Sequence, residues 1–156
     1  MISDASPLIF LSKIRALSLL RKIYSSITIP EAVKEEIISD KRDDSLGIAE
    51  AIKEKWINIS SIQREVFLIK GKGENAAINL ASERKEPLII DDAQGIKIAE
   101  SLGIKIFRTT SIILLALKKK IITKKEALNF IKSLVEHGYY ISPEYYAQLL
   151  EKLIRK

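Results

Sequence analysis

The feature that most restricts this chain is the shortness and spacing of its β-type stretches. They fall at residues 1–3, 27–29, 88–90 and 105–107, with a weaker one at 56–60, and helical periodicities fill the gaps. Strand alternating with helix is the pattern of an α/β domain with a mainly parallel sheet, because parallel neighbours need a crossover and the crossover is a helix. In such open sheets ligands bind beyond the carboxyl ends of the strands. Three of those ends carry oxygen atoms: Asp4 follows the first strand, Asp91 and Asp92 end "LIIDD", and Thr109, Thr110 and Ser111 follow "KIF".

Helix boundaries are marked by caps. Ser6-Pro7 reads as an N-cap followed by proline at the first helical position, Pro30-Glu31 opens "PEAVKEEIIS", and Gly73-Glu74 opens "GENAAINLASERK". Leu102-Gly103 closes the helix that begins after Asp92, and the last segment reads as two amphipathic helices joined at "HGYYISP". With 156 residues, 47% of them hydrophobic, and no linker or repeat, the chain is expected to form one domain, a core over 1–120 and a helical hairpin over 123–156. The mixed charge run "SDKRDDS" is expected to be a surface loop.

Composition narrows the chemistry. There is no cysteine, so thiolate nucleophiles, disulfides and Cys-ligated zinc are excluded, and the single histidine, His137, sits before Gly138 where a helix ends. A Ser-His-Asp triad or a multi-His metal site is therefore not expected. The net charge of +6 permits a polyanionic partner, although lysines on such helices mainly solvate their faces. High Lys, Glu and Ile with one Met is similar to thermophile composition. No apolar run reaches the ~20 residues of a membrane helix and no leader pattern opens the sequence, so a cytoplasmic protein without a membrane partner is expected.

What remains are carboxylates in unusual places. In "PEAVKEEIIS" the apolar stripe is Ala32, Val33 and Ile37, and Glu36 falls on it by helical spacing, whereas Glu35 falls on the wetter side. Glu74 is similarly aligned with Ala77, Ile78 and Ala81. Ordinary explanations exist for some of these acids: Glu74 as a first-turn acid, Asp4 as an acceptor in the turn before Pro7, Asp92 as a helix cap. They leave Asp91 and Glu36 unexplained. Several carboxylates at one sheet edge repel one another, but they are the oxygen donors that Mg2+ or Mn2+ requires, and such ions promote phosphodiester hydrolysis without histidine or cysteine.

The segments "ISDASPLIFLSKI", "ITIPEAVKEEI", "GKGENAAINLA", "PLIIDDAQGIKIAESLGIKI" and "GYYISPEYYAQLL", in this order, resemble PIN-domain proteins, in the branch related to the toxin ribonucleases of VapBC-type toxin–antitoxin pairs. The resemblance covers essentially the whole chain. It implies a three-layer α/β/α fold with strand order 3-2-1-4-5, and Mg2+- or Mn2+-dependent cleavage of single-stranded RNA. It also implies the acids: Asp4, Glu36, Glu74 and the Asp91-Asp92 pair, with Asp4, Glu74 and one of the pair holding metal and Glu36 a second ligand or the residue that orients water. Ser6 and Thr109 match supporting hydroxyl positions, and an antitoxin and a homodimer are implied partners.

The chain departs from these relatives in three places. Ala93 stands where they often carry a basic residue, Arg108 stands where they carry glycine, and they have two or three further residues before the first strand, which is therefore expected to be short. The basic candidates for RNA contact are Arg108 and Lys72, with Lys13 and Lys34 nearby in sequence; with so few aromatics, phosphate recognition is expected to outweigh base stacking. The rival is a non-catalytic RNA-binding or protein-interaction module on the same fold. An aspartyl-nucleophile phosphohydrolase fits less well, because Ser6 stands where a second Asp is needed.

Overall fold

Each strand in the computed structural model, which describes residues 1–39 and 44–155, is short and runs almost directly into a helix or a site-bearing loop. In chain order the elements are β1 (Ile2–Ser3), α1 (Ala5–Lys13), α2 (Ser18–Tyr24), β2 (Ile27–Pro30), α3 (Glu31–Ser39), α4 (Asp44–Lys53) and β3 (Ile57–Ser60). There follow α5 (Lys72–Arg84), β4 (Leu88–Ile89), α6 (Ala93–Ser101), β5 (Ile106–Phe107), α7 (Thr109–Lys118), α8 (Lys124–Glu136) and α9 (Pro143–Ile154).

The sheet has the order β3-β2-β1-β4-β5, and every pairing is parallel. Neighbouring residues along a strand face opposite sides of a sheet, yet Ile2 and Ser3 are both buried, as are Leu88 and Ile89. Helices therefore cover both faces, which makes the three-layer α/β/α arrangement, and the strands are correspondingly rich in Ile and Leu. Core side chains such as Ile2, Leu8, Leu11, Ile29, Ile78 and Leu88 are fully buried, each worth about 1.5–3 kcal/mol of transfer free energy.

The central strand β1 is only two residues long. Its ladder is lengthened by hydrogen bonds from Ile2 N to Pro87 O (3.0 Å) and from Asp4 N to Ile89 O (2.9 Å). After β1 the chain builds outward to β3 on one side, then returns to β4 and β5 on the other. The point where the direction of winding changes, between β1 and β4, is where such sheets open a crevice.

Two helix starts differ from the sequence reading. Asp4, not Ser6, is the N-cap residue of α1 (φ −77°, ψ 169°), so Pro7 is the third helical residue. That position has no intrahelical N–H bond to lose, which is why proline is accepted there. Helix α5 likewise begins at Lys72 after the N-cap Gly71, two residues before Glu74. Helices α2, α4 and α7 carry no cap signature that the sequence reading used. Of the charge run expected as a surface loop, residues 40–43 lie outside the described residues, while Ser39 ends α3 and Asp44 opens α4.

The hairpin is strongly capped. At the start of α8 the Thr123 hydroxyl accepts from Glu126 N (3.1 Å) and the Glu126 carboxylate accepts from Thr123 N (2.6 Å). Helix α9 starts with Ser142 accepting from Tyr145 N (3.1 Å), with Pro143 next. Gly138 (φ +90°) turns the chain out of α8, and His137 Nδ1 lies 2.8 Å from Ser133 O, in the last turn. Among the described residues no helix is long and apolar enough to cross a membrane.

Candidate active site

Asp4 is placed by the β1–α1 junction, at the carboxyl edge of the sheet. It is 1% exposed, and its Oδ1 has no hydrogen-bond partner. Glu36, in the second turn of α3, and Glu74, in the first turn of α5, each bring a carboxylate oxygen into the same space, so that one oxygen from each of the three acids lies within 4.8 Å of the others. Glu74 is half-buried, and Glu36, although in phase with the apolar stripe of α3, is exposed. The close approach of α5 depends on Gly73: a Cβ there would overlap Glu36 Oε2 and stand 3.6 Å from Asp4 Oδ1. A side chain there would push the Glu36 carboxylate aside.

The electrostatic consequence falls chiefly on Asp4. Burial first, then the Glu74 charge, push its carboxyl up to about 8, with Glu36 and Asp91 adding to the shift and the Ala5 N–H opposing it. Glu36 is also raised, by burial and by Glu74. Such a site is destabilising as built, because a buried carboxylate oxygen without a partner costs free energy. The positive end of the α5 dipole offsets part of that cost. All donors are hard oxygens, and the orphaned Oδ1 is aimed among the other carboxylates, so the residues present fit a divalent ion of the Mg2+ or Mn2+ type.

The paired aspartates have separate jobs. Asp92 is the N-cap of α6, its Oδ2 accepting from Gly95 N at 2.7 Å, and its residue is exposed. Asp91 faces the crevice. Its Oδ1 accepts from Thr109 N (2.9 Å) and from the Tyr139 hydroxyl (2.7 Å), and its Oδ2 accepts from Thr109 Oγ1 (2.6 Å). Three donors thus fix one carboxylate, from the N-terminus of α7 and from the α8–α9 turn. Tyr139 is buried, with its ring edge-on to Phe10 (centroids 5.2 Å apart). Burial and then the Asp91 charge push its phenol well above the usual range, so it stays a donor.

Beside this group lies a cavity of about 500 Å3, bordered by Ser6, Glu74, Asp91, Asp92, Ala93, Arg108 and the hairpin residues Tyr139, Tyr140 and Tyr145. Ser6 and Thr109 are thereby both at the site, Ser6 on the cavity wall and Thr109 on Asp91. Arg108 and Ala93 border the same cavity, so the cation at 108 is within the space where position 93 offers none. A second cavity, about 420 Å3, is bordered by Glu74 together with Glu36, Glu35 and Lys72. Lys13 lies over the Phe10 ring at 5.3 Å, and Lys34 is 3.9 Å from Glu31; both are engaged beside the site rather than in it.

A family model described as PIN domain matches residues 1–155. The chain belongs to the PIN domain family. Its fold is similar to that of a PilT N-terminus domain protein from the hyperthermophilic archaeon Sulfolobus solfataricus P2, with a TM-score of 0.57 and 19% identity, over 75% of this chain and 94% of that one. No curated protein matches it. PIN domains are in general nucleases, and this one carries the acidic cluster that such chemistry uses.

In this PIN domain the contribution of the hairpin was not foreseen from the sequence. The sequence "HGYYISP" reads only as the joint between two amphipathic helices, whereas the Tyr139 hydroxyl holds Asp91 and the Tyr145 hydroxyl pairs with Thr110 Oγ1 at 2.6 Å. The only available signal was a tyrosine directly after the helix-ending Gly138, which is too common to name a partner 48 residues away.

Proposed function

We propose that this chain is a divalent-metal-dependent endoribonuclease acting on single-stranded RNA, with Mg2+ or Mn2+ held by Asp4, Glu36 and Glu74 and with Asp91 on the cavity side. The observation that supports this reading is the buried, unpartnered Oδ1 of Asp4 among two further carboxylates. A binding module would carry its destabilisation without any return. When bound, such an ion polarises a phosphoryl oxygen and acidifies water.

The chain's own residues supply the rest. To serve as a ligand Asp4 would have to shed the proton that its burial favours, and that proton would leave to solvent. Thr109 and Tyr139 hold Asp91 in one orientation. Arg108 and Lys72, each on a cavity that Glu74 also borders, would take phosphates of the strand, and binding would then be salt-sensitive. A toxin role, with an antitoxin partner and a homodimer, belongs to the same proposal through the resemblance alone; a monomer in light scattering overturns the dimer. The central test is Mn2+-dependent cleavage of a mixed single-stranded RNA pool, with Asp4→Asn as control. Equal activity in the variant, or none in either protein, overturns the reading.

A further inference from the structure

The chain is sparing with aromatics, but it concentrates them. Of its five tyrosines, Tyr139, Tyr140 and Tyr145 all border the one cavity that also contains Asp91 and Glu74. Tyr139 is turned inward, and Tyr145 is half-buried under the Arg108 guanidinium, whose carbon lies 5.4 Å from the ring centroid. Tyr140 is the exception. Its side chain is 82% exposed, it borders the same cavity, and among the described residues it has no polar side-chain partner.

We propose that this cavity is a nucleobase subsite, in which a base adjacent to the reacting phosphodiester stacks on Tyr140 while Arg108 takes the neighbouring phosphate. The proposal rests on the nuclease reading for its substrate class and adds where the base goes. Three features favour a base over an anion deep in the cavity. The walls carry Glu74 and Asp91, which repel a phosphate but accept hydrogen bonds from exocyclic amino groups. The volume lies within the range of small-ligand sites, ~300–1,000 Å3. The sole cation on the wall, Arg108, sits over an aromatic ring, where its charge stays available to a backbone phosphate at the rim. Stacking on an exposed ring tolerates any base, so the subsite provides hold rather than sequence choice. This departs from the expectation that phosphate contacts alone dominate.

The test is fluorescence anisotropy with a labelled 12-nucleotide oligoadenylate in EDTA, so that cleavage plays no part. Because Tyr140 is exposed, Tyr140→Ala is expected to fold normally, and it should weaken binding roughly five- to hundred-fold, as loss of one base stack does. Tyr140→Trp should restore it. The salt slope should be unchanged in Tyr140→Ala but shallower by about one charge in Arg108→Gln. An oligomer with abasic sites throughout should bind the unmodified protein and Tyr140→Ala alike. Unchanged oligoadenylate affinity in Tyr140→Ala overturns the proposal and leaves the exposed ring to a protein partner. Loss of Mn2+-dependent cleavage with the stacking effect intact would overturn only the nuclease reading.

Discussion

Metal-free protein should lose stability as pH rises, and Asp4→Asn should remove most of that loss. In the unfolded chain Asp4 titrates near 3.8, whereas the fold pushes it up to about 8. Between those values the native state keeps a proton that the unfolded state has released, so unfolding releases a proton and higher pH favours it. The contribution is fully present below the lower value, declines across the interval and is gone above the upper one. Each pH unit within it is worth about 1.4 kcal/mol, so the change from pH 5 to pH 8 is on the order of 4 kcal/mol. For a domain of this size that is roughly 8–16 °C in melting temperature. Glu36, raised for similar reasons, acts in the same direction. Thermal melts in EDTA at pH 5, 6, 7 and 8 should show the two proteins diverging, with Asp4→Asn the more stable at pH 8. Parallel curves would refute the assignment of the proton to Asp4.

Mn2+ affinity, measured by calorimetry, should rise from pH 6 to pH 8 with about one proton released per ion, because the metal displaces that proton; a pH-independent affinity contradicts this. Gly73→Ala should leave the apo melt unchanged or slightly higher, alanine being the better helix former by about 1 kcal/mol, yet shrink the Mn2+-induced shift by displacing Glu36. A full-sized shift would mean the glycine is not needed for the approach. Tyr139→Phe keeps the ring against Phe10 but removes a donor to Asp91, so urea unfolding should report a loss of about 1–3 kcal/mol and kinetics a fall in kcat with little change in KM. Asp92→Ala should cost about 1 kcal/mol through the lost cap and retain cleavage, whereas Asp91→Asn should abolish cleavage with a smaller stability change; the opposite ranking in the same two assays would show that the pair is misassigned.

The strands and the site acids were legible in the sequence for a simple reason: each acid lies within a few residues of a strand end or on a short helical face, where local period decides its direction. Glu36 was separated from Glu35 by phase alone, and Glu36 does lie beside Asp4, but both residues are exposed and border one cavity, since α3 buries only Val33 and Ile37. The start of α1 was misplaced because Ser6-Pro7 mimics a cap, while Asp4 already has the extended backbone of one. The division between Asp91 and Asp92 could not be read, since both precede the helix and either carboxylate can reach its first turn. The hydrogen bond that settles it comes partly from Thr109 and Tyr139, across the sheet and from the hairpin. Contacts of that length depend on packing, and no local pattern encodes them.

The Tyr139 bond to Asp91 also sets an order of events during synthesis. At about 5–20 residues per second, the 48 residues between them take roughly 2–10 s to make. Late in that interval, once α7 has been made, the sheet and the helices that precede α8 can assemble with Asp91 held by Thr109 alone and with the far wall of the cavity absent. On the ribonuclease reading proposed above, the chain is born on an RNA, and the last wall of its crevice is also the last to be translated. Ribosome-bound chains halted after α7 should therefore spare RNA that the released protein cleaves.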